Sequence, residues 1–275
     1  MGKTLLVLTT ANQLEYTKKT IQSFKLSAPD FVDLLVIDDH SIDGTPEYCK
    51  NNDIQFITKR VSKGVTHSWN IGYSVFKERN YNYLILANND ILIPFGAIKN
   101  FIKVLENHVI TSVLCNRSGV PFDIMQAIDY NFDLSDLGCN PEDFENYQKV
   151  QDFLSMKQMT VNYKLVHKVN GFFFGVNRKI CEFELDDSNL FNPKLLNVDN
   201  EYELCRRVKN DIAVCLNAFI FHYKGISFKD HDIDSRYNFG RQLTWQVAKK
   251  LKENKLKRFL YRLRINTDLR FGRKI

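Results

Sequence analysis

Nothing in this chain is long and apolar enough to cross a membrane. After Met1, Gly2 and Lys3 comes an apolar-rich run of seven residues, far below the roughly 20 that a spanning helix needs. No cleavage pattern follows it, as would be expected of a secretory signal. A Met-Gly start suits myristoylation, but the sixth residue is Leu6, where that signal carries Ser or Thr. There is also no CxxC pair. Cys49, Cys115, Cys139, Cys181, Cys205 and Cys215 are scattered, and without an oxidising address they read as free, mainly buried thiols. These absences point to the cytoplasm, with the inner face of a membrane as a peripheral location. The first strand lacks a following GxGxxG, which excludes a dinucleotide enzyme. It ends in Thr9-Thr10 and not in the Asp-x-Asp of an aspartyl-phosphate hydrolase or phosphotransferase. No internal repeat or low-complexity stretch is present.

What is present is material for a sizeable core. Hydrophobic residues fill 44% of 275 positions, enough for one large domain or one domain with an appendage. Residues 4 to 9 (TLLVLT), 33 to 37 (DLLVI), 54 to 58 (IQFIT) and 83 to 87 (YLILA) are short apolar runs bounded by polar turns, the pattern of buried strands. Helical patterns separate them: 14 to 26, with Leu14, Thr17, Ile21 and Phe24 on one face; a short one from Thr45, read as N-cap, and Pro46; and 65 to 79. A helix after Pro94, a strand near 109 to 115, GFFFGV at 171 to 176, a helix over 198 to 210 and a strand over 212 to 222 follow. Strands alternating with helices predict an α/β fold with a mostly parallel central sheet flanked by helices. Ligands of such sheets gather at the carboxyl ends of the strands.

Two polar clusters fall at that edge. In VIDDHSIDGT, Asp38 and Asp39 end a strand, and Ser41, Asp43 and Gly44 turn into the next helix; the same residues also suit an Asx-type cap. In ANND, Asn88, Asn89 and Asp90 follow another strand. Hard oxygen ligands there suit a divalent cation that already carries diphosphate oxygens, and an ordinary polar turn accounts for them equally. Phe172, Phe173 and Phe174 before Gly175 are core residues or the wall of a pocket.

Taken in order, the segments resemble the inverting glycosyltransferase family 2 with its GT-A, Rossmann-like fold, over about residues 1 to 230. TTAN, with Thr9, Thr10 and Asn12, resembles the family's nucleotide-contacting turn after the first strand. VIDDHSIDGT resembles the segment whose aspartate hydrogen-bonds the base, which assigns that role to Asp39 with Asp38 beside it. KGVTHSWNIG, with Lys63, Gly64 and Asn70, resembles the helix packed under the donor. ANND is similar to the metal-binding DxD motif and implies Asp90 as metal ligand, with Asn88 and Asn89 near the nucleotide-sugar. VDNEYELCRR resembles the motif that supplies the catalytic base, here Glu201 with Asp199 as second candidate. FHYKGIS resembles a late histidine segment and makes His222 a further metal ligand. The chain departs from the family at Ala11, where a base-stacking aromatic often stands, and at Asn88, in place of the first acid of DxD.

The resemblance implies a single, inverting displacement. A Mn²⁺ or Mg²⁺ on Asp90 and His222 neutralises the leaving diphosphate, and oxygen plus imidazole ligands favour Mn²⁺. A carboxylate deprotonates the incoming hydroxyl. The expected donor is a nucleotide-sugar, a UDP-sugar first; the acceptor is a glycan or a lipid-linked saccharide. Residues 1–240 form the catalytic domain, divided into a nucleotide-sugar-binding half (1–115), an insertion or lid (118–165) and an acceptor half (166–240). Residues 241–275 form a basic amphipathic helix and tail. From Lys249 to Ile275 there are eleven Lys or Arg against Glu253 and Asp268, with Leu256, Phe259, Leu260 and Leu263 at helical spacing. Such a segment, 249–274, lies on an anionic membrane surface or docks its apolar stripe on the catalytic domain. Nucleic acid is not an expected partner, because no recognised fold or aromatic platform accompanies the charge. The alternative function is a catalytically weak or inactive nucleotide-sugar- or carbohydrate-binding protein on the same fold, and Asn88 would be its mark.

Overall fold

All seven residues of the first apolar run, Thr4–Thr10, are buried and form strand β1. A strand buried throughout must be covered on both faces, which is the situation of the centre of a parallel sheet. Accordingly Leu5 and Val7 belong to one core, and Leu6 and Leu8 to a second. The computed structural model describes residues 2–116, 144–156, 162–186, 189–195 and 200–223. None of the described helices is long and apolar enough to cross a membrane.

The chain continues through α1 (Leu14–Ser27), β2 (Val32–Asp38), α2 (Thr45–Asn51), β3 (Phe56–Thr58), α3 (Val65–Glu78), β4 (Tyr83–Asn88), the two-residue β5 (Ile91–Leu92), α4 (Ala97–Leu105) and β6 (Ile110–Cys115). After an interval outside the described residues come α5 (Phe144–Met156), β7 (Tyr163–Leu165) and β8 (Phe173–Asn177). A 3₁₀ turn (Arg178–Phe183), α6 (Asn200–Val208) and β9 (Ile212–His222) complete it. The sheet order is β3-β2-β1-β4-β8-β6-β9-β5, with β7 also on β9. β3, β2, β1 and β4 are parallel. β8 runs antiparallel between β4 and β6, and β6 pairs parallel with β9. The parallel half thus ends at β4, and a mixed half continues from it.

Amphipathic helices cover the two faces. α3 buries Trp69, Tyr73 and Phe76 against one core, while α1 and α4 bury Ile21, Phe24, Ile98 and Phe101 in the other. Helix α2 begins at Thr45, one residue earlier than an N-cap Thr45 would have it. Gly44 takes the cap position with φ 88°, and Asp43 accepts from both the backbone N–H and the hydroxyl of Thr45.

Within 118–165, where the sequence shows no clear periodicity, α5 forms and lays Tyr147, Val150 and Leu154 on the core beside β9. Its stripe is hidden by Gln151, a polar residue that is fully buried because its amide donates to Asn217 O (2.9 Å) and accepts from Phe219 N (2.8 Å). Those bonds fill a break in the β6–β9 ladder, where the pairing shifts between Val113 and Leu114. Residues 118–143 and 157–161 of the expected lid and the basic segment 241–275 lie outside the described residues.

Candidate active site

Register carries three strand ends to one edge. Thr10 pairs with Asp38, and Thr9 pairs with both Ile37 and Asn88. The loops leaving this edge are tied to one another. Asn12 and Gln13 hold left-handed backbone (φ 62° and 66°). The N–H of Asn12 donates to Ser41 Oγ (2.6 Å), the N–H of Ile42 donates to Asn12 Oδ1 (3.0 Å), and Asp43 accepts from Leu14 N (2.7 Å) at the start of α1. Asn12 therefore joins the β1 and β2 loops. The Thr9 hydroxyl donates to Ala87 O (3.3 Å) and the Thr10 hydroxyl to Asn12 O (3.1 Å), so both side chains are turned inward.

The adjacent carboxylates behave differently. Asp39, 8% exposed, lies with Oδ1 2.6 Å from Lys59 Nζ. It also accepts from the N–H groups of Lys63 and Gly64 (both 2.8 Å) and from Ser62 Oγ (3.0 Å). Burial alone would raise its pKa, but Lys59 and these hydrogen bonds hold it below the ordinary carboxylate value. Lys59, itself buried, also donates to Gly64 O (3.0 Å). Gly64 has φ 80° and ψ 173°, a conformation that glycine alone adopts readily. Lys63 projects an exposed side chain from this loop. For Asp38, burial and the nearby Asp43 push the carboxyl upward against hydrogen bonds from Ser41 and Thr58.

The second cluster divides its residues between scaffold and site. The Asn89 amide donates toward Thr10 Oγ1 (3.1 Å), Thr17 Oγ1 (3.0 Å) and Asn12 O (3.3 Å), so this buried side chain braces the β1–α1 turn. Asn88, half-buried, ends β4 and donates its N–H to Phe172 O (2.9 Å). Asp90 is 2% exposed. Its Oδ1 lies 3.2 Å from His222 Nε2, and this buried oxygen has no hydrogen-bond partner. β5 and β9 make the meeting possible: Ile91 pairs with His222, and Tyr223 N donates to Asp90 O (2.9 Å). Phe172 stacks on the His222 ring at 4.8 Å and 12°, so this phenylalanine serves both core and site.

A buried carboxylate oxygen without a hydrogen bond, facing an imidazole nitrogen, fits the ligand set of a divalent cation. No group of three metal-ligating side chains gathers among the described residues. Asp90 and His222 would therefore hold such an ion together with oxygens from a bound ligand.

On the other face, Asn70 clamps Phe191 by donating to its O (2.8 Å) and accepting from its N (2.9 Å). The Thr66 hydroxyl donates to Leu195 O. Asn70 thus fastens residues 189–195 to α3, beneath the edge. In α6, Glu203 is engaged by the Arg207 guanidinium (2.9–3.1 Å), which also reaches Phe183 O and Leu190 O. Glu201 points elsewhere. A Cβ on Gly171 would sit 3.2 Å from the Glu201 carboxyl carbon and 2.8 Å from Trp69 Cη2, so the missing side chain of Gly171 makes room for both. Asn200, beside it, is 1% exposed with neither amide atom hydrogen-bonded. Asp199 lies outside the described residues.

Lys59 escapes sequence reading, since in KRVSK it looks like one of several surface cations. Its one signal is its place directly after a short strand.

Comparisons with known proteins identify the family and the fold. The model of the family described as Glycosyl transferase family 2 matches residues 6–182, more than half of the chain. The match stops before α6 and β9. No curated protein matches the chain in sequence. Among solved structures, GalNAc-T7 with UDP, GalNAc and Mn²⁺ is similar at TM-score 0.58 and 13% identity, over 81% of this chain and 44% of that one. The mannosyltransferase PcManGT from Pyrobaculum calidifontis, in complex with GDP-Man and Mn²⁺, gives 0.56 and 12%, over 92% and 65%. S. aureus TarS 1–349 gives 0.54 and 13%, over 82% and 62%. The chain thus spans 44 to 65% of the length of these three structures, and at such identities the likeness shows the fold. That fold is GT-A.

Proposed function

The chain belongs to glycosyltransferase family 2, and from this we propose that it transfers a sugar from a nucleotide-diphosphate donor to an acceptor hydroxyl, with inversion, using a cation held by Asp90 and His222. The observation that carries the reading is the buried Asp90 Oδ1, without a hydrogen bond and facing His222 at the edge where β1, β2 and β4 end.

In this reading the loops after β1 and β2 receive the nucleotide. Asp38 and Asp39 stand at the base, and Lys63, Gly64 and Asn70 form the support beneath it. Thr9, Thr10, Asn12 and Asn89 act through the turn they stiffen, and Asn88 borders the diphosphate. When bound, Mn²⁺, or Mg²⁺ in its place, supplies Lewis-acid neutralisation of the departing diphosphate. Glu201 takes the proton of the attacking hydroxyl. Its neighbour Glu203 is committed to Arg207, and the partnerless Asn200 amide supports a polar ligand beside Glu201. The donor is a UDP-sugar, by likeness to GalNAc-T7 with UDP and to S. aureus TarS 1–349 in complex with UDP-GlcNAc. The acceptor is a glycan or lipid-linked saccharide, met at an anionic membrane surface through the basic segment 249–274.

Replacing Glu201 by Gln tests the assignment of the base. Turnover falls about 10²- to 10⁴-fold, while the donor still protects the protein from heat. A variant with unchanged turnover contradicts the assignment. A wild-type protein that binds donor but never turns it over is instead a nucleotide-sugar-binding protein on this fold.

A further inference from the structure

His222 sits where its strand has lost its neighbour. β6 ends at Cys115, paired with Ile220, so the last two residues of β9 run on past it. On the other side, among the described residues, they pair with the two-residue β5. A metal ligand on an unsupported strand end would be poorly fixed, because an unpaired backbone N–H and C=O at a part-buried site favour fraying.

The structure supplies the missing pair from a side chain. Asn116, directly after β6, accepts from the N–H of His222 through Oδ1 (2.8 Å) and donates through Nδ2 to the carbonyl of His222 (3.1 Å). A carboxamide carries one acceptor and one donor at the spacing of a peptide group, so it can replace one rung of a ladder. Phe172 then fixes the plane of the ring. Backbone and ring are thus held by separate groups, the amide of Asn116 and the ring of Phe172.

We propose that Asn116 is the positioning residue of the metal site, completing the β9 ladder so that the His222 imidazole stays against Asp90. This rests on the reading of Asp90 and His222 as a cation site. Supporting groups of this kind change metal affinity by about 10- to 100-fold when removed.

The test uses the full chain with UDP, following its melting temperature as Mn²⁺ is added. Asn116→Leu keeps the volume and loses both hydrogen bonds; Asn116→Ala loses volume as well. Each variant is expected to need about tenfold or more Mn²⁺ for half of the stabilisation, with the Mn²⁺-free response to UDP retained. Should Asn116→Ala fail to fold, Asn116→Leu carries the comparison. Unchanged Mn²⁺ midpoints in the variants overturn the positioning role and leave the cation site standing. Equal loss of the Mn²⁺ and the Mn²⁺-free UDP responses also overturns it, since Asn116 would then be a general structural residue. A wild-type protein indifferent to Mn²⁺ removes the cation reading itself.

Discussion

Asp39 and Lys59 show how a carboxylate at the candidate nucleotide edge also holds the loop that forms the edge. The pair is buried on both sides, with 4% and 9% side-chain exposure, and removing one partner leaves the other charged and uncompensated. Asp39→Asn is therefore expected to cost about 3–5 kcal/mol, read as a lower urea midpoint. The pH dependence has a definite sign. The folded pKa of Asp39 lies below its unfolded value, so its contribution is complete above about pH 4. It is lost as pH falls through the folded value. The wild-type stability should thus decline more steeply below pH 4 than that of Asp39→Asn. Equal slopes would show that the carboxylate is not held as described. Neither Lys59 nor Asn116 stands out in the sequence beyond its place directly after a strand, because their partners are set by loop closure and by strand lengths.

Secondary structure was more legible than side-chain roles. β1, β2 and β4 are buried on both faces and so appear as unbroken apolar runs, which the sequence displays directly. α5 was hidden because Gln151 interrupts its apolar stripe, and only the break in β9 explains why a buried amide belongs there. The site residues divide in the same way. Asp90, His222 and Glu201 could be proposed as chemical groups, whereas Asn70 and Asn89 prove to be braces whose hydrogen bonds hold one element against another. The loop before β8 provides a test of such bracing. Gly171→Ala would press on Trp69 and Glu201, and displacing Glu201, the proposed base, should lower turnover on the order of tenfold to a hundredfold. Donor binding, measured by thermal shift, should change little. Wild-type turnover in Gly171→Ala would mean that Glu201 does not act where it stands.

The sheet as a whole brings the site together from distant parts of the chain. The parallel half supplies Asp38, Asp39 and Asp90; the mixed half, built on β8, β6 and β9, supplies His222 from more than a hundred residues later. β5 is the stitch between them, since its two residues leave directly from Asp90 and pair with the end of β9. Binding that bridges both halves should stabilise the whole molecule, because a ligand bound only by the folded state raises stability in proportion to the logarithm of its concentration over Kd, about 2.7 kcal/mol at a hundredfold excess. Asp90 should carry most of the metal-dependent part, as its carboxylate is the one acidic group at the candidate cation site among the described residues.

The melting temperature of the protein, measured with UDP-, GDP- and dTDP-sugars in the presence and absence of Mn²⁺, tests this most directly. One donor should raise it in a Mn²⁺-dependent manner, with the UDP-sugar expected to do so, and Asp90→Ala should abolish the Mn²⁺-dependent part. A protein that no donor stabilises with or without Mn²⁺, or an Asp90→Ala variant with the wild-type response, would contradict the assignment of this edge as a metal-assisted nucleotide-sugar site.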